Sequence, residues 1–296
     1  MKGGKVVAVI DVGSNAVKAT VARVSGGRIV EPLAERRVQT RLGEGVAASG
    51  EFTPDSVQRT CDAVRGIIAE ARALGAQAFR LAGTSAVREA SNTDALAECI
   101  SAASGLALEV LTGEDEARLS FKAVSSETAD SEVAVFDLGG GSLEWIVGSG
   151  GGMLWRRSFP VGAVRLASLL TSDPPSPAEV EAVRTAVRTA LSGLPDVSGR
   201  PLISVGGTAS VMLSVAAAAG RAPEERRLSA EEIHRQAVLY ASMNLAERRS
   251  IPGMEPDRAD IILPGALVVE ECVLRARADR IIVSFRGWRH GMLCEM

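Results

Sequence analysis

AVIDVGSNAVK (residues 8–18) returns 126 residues later as AVFDLGGGSLE (134–144), with Ala8 matching Ala134, Asp11 matching Asp137 and Gly13 matching Gly139. Each copy is an apolar run that reads as a buried strand and ends on an aspartate and a glycine-led polar turn. Such groups gain little from burial and cost free energy if left unpaired. The plan continues in parallel after each copy: AVKATVARV and GGRIVEPLAERR follow the first, SLEWIVG and GGGMLWRRSFP the second. Both read as strand, tight glycine turn, strand, an antiparallel meander following the aspartate-bearing strand. The chain therefore reads as a duplication, two related α/β domains divided as 1–127 and 128–296, with TADSE (128–132) as the boundary.

Helical signals fill the remainder. In residues 53–75, Thr53 is placed to cap a helix, Pro54 sits at its first position, Val57, Cys61, Val64, Ile67 and Ile68 share one face, and Gly75 ends it. Residues 78–90 read as a short strand, a Gly-Thr-Ser turn and a helix start; residues 107–126 as a strand, a turn at Gly113 and a helix. Long capped helices are expected over 176–194 and 229–249. PLISVGGTASVML (201–213) reads as a third buried strand breaking into a third glycine corner.

A chain of 296 residues, 46% hydrophobic and 23% charged, can bury a large core. Its net charge of −3 offers no general cationic field for a nucleic-acid polymer or an anionic membrane. The opening MKGGKVVAVID has too short an apolar run for a signal sequence or a span, and the expected location is the cytoplasm. Cys61, Cys99, Cys272 and Cys294 show no CxxC spacing and are expected as reduced thiols. With only His234 and His290 in the chain, a histidine-rich metal centre or a Ser-His-Asp triad is excluded, leaving carboxylates and a metal to carry any chemistry.

Glycine after an acidic strand end lets successive backbone N–H groups point outward together, and such nests hold phosphate oxygens without cationic side chains. Asp11 with Gly13, Ser14 and Asn15 forms one such corner, Asp137 with Gly139, Gly140, Gly141 and Ser142 a second, and Gly207 with Thr208 a third. Two duplicated corners facing across a cleft would clamp a polyphosphate.

DVGSNAVK, GTSAVREA, TGEDEARL, DLGGGSLE, SFPVGAVRL, VGGTAS, DRADIILPGALV and RGWRHGML occur in the order and approximate spacing of the exopolyphosphatase and guanosine pentaphosphate phosphohydrolase (Ppx/GppA) family, which the chain resembles over nearly its whole length. The resemblance implies two duplicated ribonuclease H-like domains of the actin, sugar-kinase and Hsp70 fold group, with an interdomain cleft. It implies that Glu116 of GEDEARL is the general base orienting the attacking water, that Asp137 and Glu144 hold Mg²⁺ or another divalent cation, and that Arg88 and Arg289 grip substrate phosphates. Mg²⁺ prefers a few carboxylates plus waters and phosphates, and the arginine fork grips two oxygens at once. The neighbouring acids Glu114 and Asp115 would raise the pKa of the base.

The chain departs from the family pattern where Asp115 replaces the usual first glutamate, Leu143 a threonine and His290 a glutamate; Trp288 is also unusual, and a core role is its simplest explanation. Its end at Met296 omits the helical region of long members, so shorter substrates or a partner chain are expected. The resemblance implies hydrolysis of the terminal phosphate of inorganic polyphosphate. Removal of the 5′ terminal phosphate of guanosine pentaphosphate, or a binding protein or kinase of the same fold, stays open. Family members often form homodimers, but the sequence carries no interface signal.

Overall fold

The computed structural model describes residues 3–44, 46–125, 132–150, 152–221 and 226–296. The chain divides into two compact units, one formed by Met1–Ala123 with Arg286–Met296, the other by Val124–Phe285.

In the first unit, β1 (Lys5–Val12), β2 (Ala16–Ser25) and β3 (Arg28–Gln39) form the expected meander, followed by α1 (Val46–Ser49), α2 (Pro54–Ala73), β4 (Ala78–Gly83), α3 (Ser85–Glu89), α4 (Thr93–Ser104), β5 (Glu109–Val110) and α5 (Gly113–Ser125). The sheet order is β3-β2-β1-β4-β5, antiparallel through the meander and parallel across β1, β4 and β5. Side chains of β1 alternate between faces. Ile10 and Val12 pack in a core with Val64 and Ile68 of α2 and Leu96 and Ile100 of α4, whereas Val7 and Val9 pack with Trp288, Met292 and Leu293. The Thr53 hydroxyl accepts from Ser56 N and caps α2, as its sequence signal requires.

In the second unit, β6 (Val133–Leu138), β7 (Leu143–Ser149) and β8 (Gly152–Phe159) repeat the meander. They lead to α6 (Ala163–Ala167), α7 (Pro177–Leu191), β9 (Leu202–Val205), α8 (Gly207–Ala218), β10 (Arg227–Ser229), α9 (Ala230–Ser242), α10 (Leu245–Arg249), α11 (Ile262–Ala276) and β11 (Arg280–Ser284). The sheet order is β10-β11-β9-β6-β7-β8. Removing the edge strand β10 leaves β11-β9-β6-β7-β8, the first sheet's order and pairing directions again. The duplication read from residues 8–18 and 134–144 is thus a duplication of topology.

Four expectations need correction, and a fifth lies largely outside the described residues. Residues 286–296, assigned by sequence to the second domain, belong to the first unit: α12 (Trp288–Leu293) buries Trp288 and Met292 on the Val7/Val9 face of β1. The expected boundary over 128–132 lies, except for Glu132, outside the described residues. The helix expected over 229–249 is two, because Asn244 accepts from Glu247 N while Glu247 returns to Asn244 N, a capping box that starts α10 anew after the extended Met243. Gly113 opens α5 rather than making a separate turn, since Thr112 Oγ1 accepts from Asp115 N at 3.1 Å. Cys61 of α2 and Cys99 of α4, expected as free thiols, are paired in a disulfide, while Cys272 and Cys294 are free. Among the described residues no helix is long and apolar enough to cross a membrane.

Candidate active site

Asp11 falls on the odd-numbered face of β1, the face that α12 covers, and this decides its company. It lies across from Lys18 of β2, and Arg289 of α12 reaches its Oδ2 at 3.5 Å. The same guanidinium donates to Thr20 Oγ1 at 3.2 Å and to Glu35 Oε2 at 3.4 Å. Burial pushes the Asp11 carboxyl above its ordinary range, opposed by Lys18 and Arg289. Burial also opposes ionisation of Glu35, but hydrogen bonding to His290 and the charge of Arg289 hold it below the ordinary range. Arg289, expected to face substrate phosphate, is thus engaged by groups of its own unit. His290, where the family pattern has an acid, gives Glu35 a second partner at 3.4 Å.

The turn after Asp11 is braced from behind. Gly13 N donates to Ala16 O, Thr40 N and Arg41 N donate to Asn15 O, and Gly43 N donates to Ser14 O at 2.7 Å. A Cβ on Gly43 would come within 2.8 Å of Ser14 Cβ, so the support requires a glycine there. Asp11 Oδ1 and Asn15 Nδ2 are buried without a hydrogen-bond partner. An orphaned acceptor and an orphaned donor at one turn are what an absent polar ligand or water leaves behind.

Glu116 lies in the first turn of α5 and is buried. Its partner is Arg88 of α3, whose Nη1 hydrogen-bonds Glu116 Oε1 and also donates to Leu111 O at 2.5 Å. The two sequence candidates are therefore brought together as an ion pair. The neighbouring acids differ in setting: Glu114 is exposed, and Asp115 accepts from Thr112 Oγ1 at 2.6 Å. Glu116 thus faces the guanidinium of Arg88.

In the second unit Asp137 and Glu144 are register partners across β6 and β7, and both are buried. Glu144 also accepts from Ser158 Oγ of β8 at 2.7 Å. The offset of the duplication puts Glu144 at the position of Lys18, so the Asp–Lys pair of the first copy is an Asp–Glu pair in the second. Two buried carboxylates side by side repel unless a cation or proton intervenes. Among the described residues no group of three His, Cys, Asp or Glu could hold a metal. An all-oxygen pair that leaves its other positions to water and phosphate fits Mg²⁺.

The loop joining these strands is tied by its carbonyls. Gly139 O accepts from Ala163 N, Gly140 O from Val164 N and Arg165 N, and Gly141 O from Gly162 N and Arg165 Nε. Every carbonyl of the three glycines thus points at the start of α6. The N–H groups of Gly140, Gly141 and Ser142 donate to no backbone acceptor among the described residues; Gly140 is partly exposed, whereas Gly141 and Ser142 are buried. Sequence reasoning passed over the residues that create this arrangement. A Cβ on Gly162 would overlap the Gly140 carbonyl and Gly141, and Arg165 clamps Gly141; both lie in SFPVGAVRL, quoted above as a motif without a role.

At the third corner Gly206, with φ +110°, carries β9 into α8, and a Cβ there would overlap Leu138 O. Gly207 leaves room for the Arg258 guanidinium, and buried Thr208 turns its hydroxyl toward Gly265 of α11. Arg258, within DRADIILPGALV, is a second cation to which the motif reading assigns no role. Leu143 is fully buried in the β7 core, and Trp288 is a core aromatic of the first unit.

Two sheets that share a five-strand order, each led by a strand with an aspartate next to its last residue and a glycine turn after it, define a duplicated ribonuclease H-like α/β protein. The chain belongs to the Ppx/GppA phosphatase family, whose model matches residues 20–296. It is 34% identical over 301 residues to exopolyphosphatase 2 of Mycobacterium tuberculosis, covering 94% of each chain. Among solved structures it is similar to an exopolyphosphatase-like protein (TM-score 0.89, 27% identity, covering 99% of this chain and 98% of that one). The Aquifex aeolicus family member is also similar (TM-score 0.80, 26% identity, 99% and 97% covered).

Proposed function

We propose that this member of the family is an exopolyphosphatase, releasing the terminal phosphate of inorganic polyphosphate by attack of water. The observation that carries the proposal is the β6–β7 corner, where Gly140, Gly141 and Ser142, whose N–H groups donate to no backbone acceptor among the described residues, follow the strand that carries Asp137 of the buried Asp137–Glu144 pair. Amides bind phosphoryl oxygens without neutralising the carboxylates, and a pair of carboxylates suits a divalent cation. The similarity to exopolyphosphatase 2 agrees with this substrate class.

In this proposal water oxygen attacks the terminal phosphorus, the bridging P–O bond breaks, and the chain shortened by one phosphate leaves. Glu116 orients the water and accepts its proton, held ready by Arg88. When a phosphate enters, the remaining N–H groups of Arg88 bind its oxygens, as a guanidinium has five donors. Within the second unit the Gly140–Ser142 amides bind phosphoryl oxygens; within the first, Asp11 and the Gly13–Asn15 turn form a polar corner of the same kind. Mg²⁺ held by Asp137 and Glu144 would neutralise charge that develops on the phosphoryl oxygens.

Phosphate release should be measured from long and short polyphosphate, guanosine pentaphosphate and ATP, with Mg²⁺ and with EDTA. Mg²⁺-dependent release from polyphosphate, faster than from either nucleotide, is the expected result. Preferential release from guanosine pentaphosphate would transfer the site to that substrate, and phosphate transfer from ATP to an acceptor would make it a kinase.

A further inference from the structure

We infer that the second unit carries an additional, non-catalytic binding pocket for inorganic oligophosphate, formed where β10 and β11 meet the start of α9. A surface cavity of about 530 Å³ opens there, lined among the described residues by Arg221, Arg227, Arg235 and Arg280 with two acids, Glu232 and Asp279. The described lining thus has a net charge of +2 in a chain of net charge −3. Local charge of one sign in a concave surface concentrates counter-ions of the other.

The arrangement is built from beneath. Tyr240 Oη donates to Gln236 Oε1 at 2.7 Å, and Gln236 Nε2 donates to Glu232 Oε1 at 2.7 Å; all three residues are buried. Glu232 Oε2 then holds both Arg221, at 3.2 Å, and Arg235. One anchored carboxylate therefore fixes two guanidiniums, and its single charge cannot neutralise both. Arg280 is aligned by Asp279 at 2.8 Å, and Arg227 enters from β10, whose Ser229 is the register partner of Arg280. A guanidinium has five N–H donors, so the contacts of Arg221, Arg235 and Arg280 with these carboxylates use only part of their capacity to bind phosphate oxygens.

The lining also selects among phosphates. Among the described residues it contains no aromatic side chain, and its one apolar member, Leu228, is fully buried, so these residues give a nucleobase no platform to stack on. The cavity exceeds the needs of one orthophosphate and suits a short run of linked phosphates. None of Asp137, Glu144, Gly139–Ser142, Gly207 or Thr208 lines it. The choice of inorganic polymer as ligand rests on the exopolyphosphatase proposal; the anion site itself does not.

Isothermal titration with inorganic tripolyphosphate in EDTA, where turnover is suppressed, tests it. Arg227→Gln combined with Arg280→Gln should weaken this binding roughly tenfold or more, as expected for lost charge-assisted hydrogen bonds. The same variant should keep the wild-type thermal midpoint and the kcat for tripolyphosphate, while KM for long polyphosphate rises. Arg221→Gln, at a side chain 43% exposed, is a second variant that spares the β10–β11 pairing and should weaken binding as well. Unchanged tripolyphosphate affinity in both folded variants overturns the inference. Tighter arginine-dependent binding of guanosine pentaphosphate than of tripolyphosphate overturns the choice of ligand. Arginine-dependent binding by a wild-type protein that hydrolyses no polyphosphate would refute the proposed activity and support the pocket.

Discussion

Replacing Glu116 by Gln keeps the side chain's size and removes its charge and its ability to accept the proton of the attacking water. Glu116 is 6% exposed and ion-paired with Arg88, whose side chain is 22% exposed. Breaking a fully buried pair costs about 3–5 kcal/mol. Here Arg88 retains water contact and the Leu111 carbonyl at 2.5 Å, so a cost of about 1–2 kcal/mol is expected. At about 2–4 °C per kcal/mol, the thermal midpoint should fall by several degrees. The protein then remains folded at 25 °C, because domains have about 5–15 kcal/mol in hand. Loss of a positioned base lowers kcat by about 10²-fold or more with KM little changed. Phosphate release and thermal unfolding should therefore be measured on one preparation. A kcat within about threefold of wild type, together with the expected fall in midpoint, would leave Glu116 a structural partner of Arg88 and refute its role as base.

The other predictions address the two corners. Asp137→Asn should raise the Mg²⁺ concentration for half-maximal phosphate release, since one ligand charge is lost with the shape kept; an unchanged Mg²⁺ dependence removes Asp137 from the metal site. Gly162→Ala places a methyl on the Gly140 carbonyl, so it should cost about 1–3 kcal/mol of stability and lower activity by displacing the loop, as read from denaturant melts beside turnover. Gly140→Val should abolish turnover and leave the melting midpoint close to wild type, whereas a variant that keeps both midpoint and activity sinks the amide-cradle proposal. Asp11 has a folded-state pKa raised above its ordinary 3.8, so its contribution to stability is complete below that value and declines as pH rises through the raised folded pKa. Asp11→Asn should remove this component, and urea melts of both proteins from pH 4 to pH 7 should show the variant's relative stability improving with pH.

The architecture was legible because its signals are local and repeated. The Asp-Gly turns after apolar runs fixed both meanders, and Thr53-Pro54 and Ser176-Pro177 fixed the starts of α2 and α7. Long-range contacts were not legible. Nothing in RGWRHGML says that Trp288 completes the core around Val7 and Val9, so the last helix was placed in the wrong domain. Asn244-Leu-Ala-Glu247 was a readable capping box, hidden by the apolar periodicity that runs through it. The Cys61–Cys99 disulfide needs the approach of two helices that no spacing rule encodes. Within the site, the sequence identified Glu116 and Arg88 separately, but not that one would hold the other. Gly162 escaped because its importance lies in what its missing side chain would strike.

Hydrolysis of tripolyphosphate in ¹⁸O-labelled water, with Mg²⁺ present and the products resolved by ³¹P NMR, tests water attack at the terminal phosphate most directly. Attack there predicts one ¹⁸O in each orthophosphate released and none in the pyrophosphate left behind. Label in the pyrophosphate, or ATP formed without labelled orthophosphate when ADP is added, would contradict it.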